Sequence, residues 1–292
     1  MLTCNGGSNM ASLGHGLYLG GKSVHNSSNV NQNETEVEAY RTGLTTPLSS
    51  AQIGRLNTLV ASLKSGLGVS ALSDAFDTLY ILAGETSESS LRNLVKNAHY
   101  ATAVNSPTFT QFEGFTGNGT SSYINTNFTD STSAVRFNVN NASYFEYIRT
   151  NLSYYVGGTG SGAAGNGYNT QLYVAESGKG YSALLNQGGI FSSGQISINN
   201  SPGFFIINKI SANSSELFQN GTSLGSRTST LNGFIGYASY INARNTSGTA
   251  SNFSNTQTSI AGHGRAFSTV EIAVIQNAFE AYMDANGKGV IA

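Results

Sequence analysis

Two hydrophobic periods divide the chain. In the first hundred residues the clear period is helical. Ile53, Leu56, Val60 and Leu63 fall on one helix face, and Ser49-x-x-Gln52 ahead of them has the form of a capping box. Gly66 is the predicted stop. Leu72 to Phe76 predicts another helical turn, Thr78 to Leu82 a short buried strand, and Ser89 to Val95 a third short helix. From Thr108 the period becomes two, with turn signals between short runs. The alternation predicts strands near 109–114, 123–127, 134–138, 142–149, 152–156, 170–175, 180–185 and 189–192. Further strands are expected near 204–209, 216–219, 222–226, 233–240 and 259–261. Asn118-Gly119 and Asn220-Gly221 supply tight turns, because both residue types tolerate positive φ. A last helix begins at the capping box Ser268-x-x-Glu271. It carries the stripe Ile272, Ile275, Phe279 and Tyr282, and ends at Asn286-Gly287. That stripe is expected to dock on the chain's own sheets.

The fold expected is mainly β: a two-sheet antiparallel jelly-roll sandwich with a small α-rich N-terminal preface and a C-terminal helix. Three parts follow. Residues 1–43 read as an N-terminal arm, residues 44–103 as the α-rich preface, and residues 104–292 as the sandwich with its closing helix 268–286. The first 35 residues are rich in Gly, Asn and Ser and cannot bury enough apolar surface to fold alone. Leu13, Leu17, Tyr18 and Leu19 give the arm something to bury on a partner. Glu34, Glu36 and Glu38 alternate at period two and predict a solvated face.

Composition narrows the function classes. Charged residues are only 10%, so polarity comes from Asn, Ser and Thr. Net charge is −1 and the basic residues are scattered, which gives no electrostatic case for nucleic acid. No run approaches the 18 or so apolar residues of a membrane span, so no membrane insertion is expected. Cys4 is the single cysteine, which excludes an intrachain disulfide. The N-terminus lacks the basic and apolar regions of a signal peptide. A surface-type composition without export fits a particle assembled in the cytoplasm and released by lysis.

Several segments occur in an order that resembles a family. Ala103-Val-Asn-Ser-Pro-Thr-Phe109 leads into Gly117-Asn-Gly-Thr-Ser-Ser-Tyr-Ile-Asn-Thr126. Ile207-Asn-Lys-Ile-Ser-Ala-Asn-Ser214 leads into Leu217-Phe-Gln-Asn-Gly221, and Gly264-Arg-Ala-Phe-Ser-Thr-Val-Glu-Ile272 opens the closing helix. Together they resemble the concanavalin A-like, laminin-G-like jelly roll of bacteriophage tail and other virion proteins. The resemblance covers roughly 44–286. It implies display on a virion surface, attachment to other virion proteins through the arm, a possible host-surface glycan ligand, and homo-oligomerisation. Two alternatives stay open: a glycan-processing hydrolase on the same fold, and a structural decoration module with no ligand.

Hydrolases of this fold place paired carboxylates on one strand. Between Phe115 and Val270 the carboxylates are Asp130, Glu146, Glu176 and Glu216, and no two share a predicted strand. No catalytic residue is therefore assigned and no enzyme is expected. No cofactor is expected either; calcium is conceivable only through Asp130 with backbone carbonyls. His15, His25, His99 and His263 have no paired spacing for zinc. Gly160-Ser-Gly-Ala-Ala-Gly165 matches a dinucleotide fingerprint but lies among strands, and Gly221-Thr-Ser-Leu-Gly225 matches a nucleophile elbow but follows a hairpin turn. Asn-x-Ser/Thr sequons such as Asn118, Asn127, Asn141 and Asn220 are expected by chance in so much Asn, Ser and Thr. A sugar-binding surface remains. Tyr154, Tyr155, Tyr168, Tyr173 and Tyr181, around the Gly-rich stretch 157–167, are the candidate glycan contacts. The competing reading is that these tyrosines cover the sandwich face.

Overall fold

Ser49 starts the longest helix, α2 (Ser50–Leu67), with its hydroxyl accepting the Gln52 N–H. The computed structural model describes residues 33–150, 156–160, 168–176, 179–187, 196–197, 202–211, 213–228 and 233–291. Gly66 does not end α2. The helix stops at Gly68, which takes the left-handed conformation at φ 64°. Gly66 answers to packing, since a Cβ there would lie 2.3 Å from Val274 Cγ1. Val274 belongs to the closing helix α5 (Thr269–Ala285), which has the expected reciprocal cap between Ser268 and Glu271. Leu56, Val60 and Leu63 of α2 join Ile272, Ile275 and Phe279 of α5 in one buried cluster with Phe145, Phe204 and Ile206. The closing helix thus docks on its own sheets.

Two local expectations fail for physical reasons. Glu36 is not on a solvated face. Residues 35–41 form a helix, α1 (Thr35–Arg41), whose Val37 and Tyr40 turn inward; Glu36 is buried and accepts the Leu72 N–H at 2.9 Å. The predicted helix 89–95 is one turn only, α3 (Ser87–Ser90). Beyond it the Asn93 amide bonds the backbone instead, accepting from Leu79 and Val95 and donating to Asp77, which competes with helix formation. Leu72–Asp74 is a 3-10 turn, as the pattern suggests.

The strands form two sheets. One contains β1 (Phe76–Tyr80), β3 (Thr108–Thr110), β4 (Gly114–Thr116), β6 (Ala142–Ile148), β11 (Gly203–Ser211), β12 (Ser214–Gln219), β13 (Thr222–Thr228) and β17 (Gln257–Gly264). Its order is β13-β12-β11-β6-β17-β4-β3, with β1 also pairing β17. The other contains β2 (Thr102–Val104), β5 (Tyr123–Thr129), β7 (Val156–Gly160), β8 (Tyr168–Glu176), β9 (Lys179–Gln187), β10 (Ile196–Ser197), β14 (Ala238–Ile241), β15 (Arg244–Thr246) and β16 (Thr249–Ser251). It runs β10-β9-β8-β7-β14-β5-β2, with the hairpin β15–β16 joined to β7. All these pairings are antiparallel except β15 with β7. The first sheet is covered on both faces. Phe204 and Ile206 of β11 face the helices, while Phe205 and Ile207 pack with Phe128, Tyr144, Ile148 and Leu172 between the sheets. This is the expected sandwich.

Three predicted strands differ. The run 109–114 is a hairpin, broken by positive φ at Phe112 (60°) and Gly114 (116°). Residues 134–138 do not form a strand, because the N–H groups of Val135, Arg136 and Phe137 all donate to the Asp77 carboxylate. They follow a short helix, α4 (Asp130–Ser133). In 233–240 pairing starts only at Ala238, since the Ile235 and Gly236 N–H groups donate to Asp130. The predicted strands 152–156 and 189–192 lie outside the described residues except at Val156.

Candidate functional site: the outer face of the nine-stranded sheet

Alternation along β5 builds the site. Ile124, Thr126 and Phe128 turn inward and are buried, so Tyr123, Asn125 and Asn127 face out. In β14, Ile241 joins the inner core and Tyr240 faces out. The register sets Tyr240 opposite Asn125 and Ile241 opposite Ile124. The Tyr123 and Tyr240 rings then lie 4.4 Å apart at 32°, and Phe253 extends the cluster at 6.2 Å from Tyr123. Burial, with Tyr123 beside it, pushes the Tyr240 phenol up to about 12, and the Tyr240 ring is buried against its neighbour.

Next to this pair runs a strand rich in glycine. Strand β7 reads Val156-Gly-Gly-Thr-Gly160. Gly158 stands opposite Tyr240 of β14, Gln171 of β8 and Arg244 of β15. Asn169, Thr170, Gln171 and Leu172 of β8 are all buried, Leu172 in the core between the sheets. Arg244 reaches across the glycine strand, and its Nη2 donates to Asn169 Oδ1 at 2.9 Å. The half-buried Tyr123 ring and the Asn125 amide are what this patch leaves open, with the buried Tyr240 ring packed beside Tyr123. This is equipment for stacking on sugar faces and bonding sugar hydroxyls.

The tyrosines expected from the sequence are placed only in part. Tyr154 and Tyr155 lie outside the described residues, as does the stretch 161–167. Tyr168, Tyr173 and Tyr181 fall in β8 and β9, with Tyr173 opposite Tyr181 and Tyr168 opposite Gln187. Their side chains lie outside the described residues. The pair Tyr123 and Tyr240 was missed, although the alternation in Tyr123-Ile-Asn-Thr-Asn-Phe128 already marks Tyr123 as outward.

The ionisable groups of the β region serve other purposes. Glu146 is fully buried between the sheets, and Tyr144 donates to it. Burial pushes its carboxyl up to about 8. The Thr258 hydroxyl is nearer Asn242 Oδ1 (3.0 Å) than Glu146 Oε2 (3.5 Å). The shorter of the two contacts is thus the one to Asn242. His263 lies between two hydroxyls, Thr78 Oγ1 on Nδ1 and Ser239 Oγ on Nε2, each at 2.9 Å. Phe128, Phe137 and Tyr144 surround it. Burial lowers its pKa to about 3, and the imidazole is neutral. Asp130, the conceivable calcium ligand, cradles the Ile235 and Gly236 N–H groups at 2.8 and 3.0 Å, and burial raises its pKa. Among the described residues no three His, Cys, Asp or Glu side chains gather as a metal site.

Comparison with known proteins gives a fold and no family. No family model matches the chain, and no curated protein matches it in sequence. A mutant Trypanosoma rangeli sialidase with trans-sialidase activity superimposes with TM-score 0.50 at 11% identity, over 82% of this chain and 40% of the sialidase. This chain therefore spans well under half of that protein. Domain 4 of an extracellular arabinanase from Geobacillus stearothermophilus, in complex with arabinotriose, gives TM-score 0.44 at 15% identity over 69% of this chain and 98% of that domain. Ruminococcus gnavus IT-sialidase CBM40 gives TM-score 0.37 at 13% identity over 47% of this chain and 83% of its own. The sialidase superposition shows a shared β-sandwich fold.

Proposed function

We propose that this chain is a non-enzymatic glycan-binding β-sandwich protein, displayed on the surface of a bacteriophage virion. The observation that carries the glycan reading is the half-buried Tyr123 ring, held against Tyr240 and flanked by the Asn125 amide on the same face of β5. Aromatic faces and amides are the groups that recognise sugars by stacking and hydrogen bonding. The name of the structural neighbour that shares the fold, a sialidase, agrees in kind. Virion display is supported by the ordered resemblance of 44–286 to phage jelly rolls and by the charge-poor surface composition. A non-enzymatic role is supported by Glu146 and Asp130, which are committed to the core and to a backbone cradle. A glycan array probed with the full chain tests the binding. Retention of at least one glycan, without its cleavage, is expected; an empty array removes the reading. Labelling of purified particles with an antibody to the chain tests display.

A further inference from the structure

We propose that the glycan taken by this face is uncharged, and that the Asn125 amide reads its hydroxyl groups. The inference deepens the glycan reading above and rests on it. The register of β2 on β5 sets Thr102 opposite Asn125 and Val104 opposite Tyr123, so these four side chains share one face. Asn127 lies on the same face, where its Nδ2 donates to Thr102 Oγ1 at 3.0 Å. Asn125 Oδ1 accepts the Asn127 N–H at 2.9 Å, which holds the amide in place and leaves the two hydrogens of Nδ2 as what it can offer. Such donors bond sugar hydroxyl oxygens, while the half-buried Tyr123 ring, two residues away on β5, takes the face of a sugar ring. Charge is scarce throughout this sheet. Residues 114–129, 150–175, 228–243 and 245–264 contain no Asp, Glu, Lys or Arg. The nine strands hold only Glu176, Lys179 and Arg244, where an average domain has about a quarter of its positions charged. Glu176 and Lys179 stand opposite each other in the β8–β9 register, and the Arg244 guanidinium donates to Asn169. A carboxylate or sulfate brought to Tyr123 and Asn125 would give up water and find amides and rings in place of an opposite charge. A sugar hydroxyl gives up water and regains a hydrogen bond.

The test probes an array of neutral, carboxylated and sulfated glycans with the full chain. The glycans retained are expected to be uncharged, and their retention should not change as salt rises from about 50 to about 500 mM, a range that strongly screens exposed charges. Oxidising a primary hydroxyl of a retained glycan to the uronate should weaken its binding about fivefold or more. Asn125→Asp keeps an oxygen for the Asn127 N–H and removes the amide donors, so it should fold and also bind about fivefold or more weakly. Retention confined to carboxylated or sulfated glycans overturns the inference and leaves the glycan reading standing. So does a uronate form held as strongly as its neutral parent, or binding that falls steadily with salt. Unchanged binding by a folded Asn125→Asp variant does the same. If Asn125→Asp does not fold, the array and the salt series still decide. Retention of no glycan overturns the glycan reading and this inference with it.

Discussion

Gly66 on α2 meets Val274 on α5 with no room for a side chain between them. A Cβ on Gly66 would fall 2.3 Å from Val274 Cγ1. Alanine at this position would gain up to about 1 kcal/mol of helix propensity but lose roughly 1–3 kcal/mol to overpacking. Gly66→Ala is therefore expected to destabilise the wild-type chain. In a Val274→Ala background the clash is removed and the same change should stabilise. Chemical denaturation of the four proteins of this cycle checks it.

Asp77 fastens residues 135–137 to the sandwich. Its carboxylate accepts three backbone N–H groups at 2.8–3.0 Å while almost fully buried. Asp77→Ala leaves those donors unpaired, at about 1–3 kcal/mol for each one that stays buried. A loss of about 3 kcal/mol or more is expected in urea denaturation. Amide exchange of residues 135–137 should rise with it.

Two buried groups give opposite pH dependences. His263 has its folded pKa depressed to about 3, so its contribution is present above the unfolded value near 6.5 and lost as pH falls toward 3. Glu146 has its folded pKa raised to about 8, so its contribution is present below about 4.5 and lost as pH rises toward 8. Each slope is at most about 1.4 kcal/mol per pH unit. Between about pH 4.5 and 6.5 the two offset. Glu146→Gln should lose stability on acidification through that window. His263→Gln should gain it. Denaturation midpoints from pH 8 to 4 distinguish the three proteins.

How far the sequence was legible follows from where backbone N–H groups go. Strands that pair along their length were readable, β5 from alternation and β6 and β11 as short apolar runs buried on both faces. So were both long helices, because Ser49 and Ser268 carry their caps in local sequence. The segments 134–138 and 233–240 were misread because Asp77 lies 58 residues from Val135 and Asp130 lies 105 from Ile235. No local pattern announces such partners. Gly66 misled for the same reason, since its constraint comes from Val274. At the site, Tyr123 was visible in the alternation of β5. Its meeting with Tyr240 depends on strand order, with β14 beside β5, and spacing along the chain does not encode that order.

The central claim is that the outer face of the nine-stranded sheet binds glycan. Its most direct test is calorimetric titration of an array-selected glycan into the wild-type chain, Tyr123→Ala and Val270→Ser. Val270 is 75% exposed on α5, and its substitution serves as a control. The account predicts that Tyr123→Ala weakens binding about tenfold or more, the size of one lost stacking contact, while Val270→Ser binds as wild type. Equal affinity in all three proteins would contradict it and move the binding site off this face.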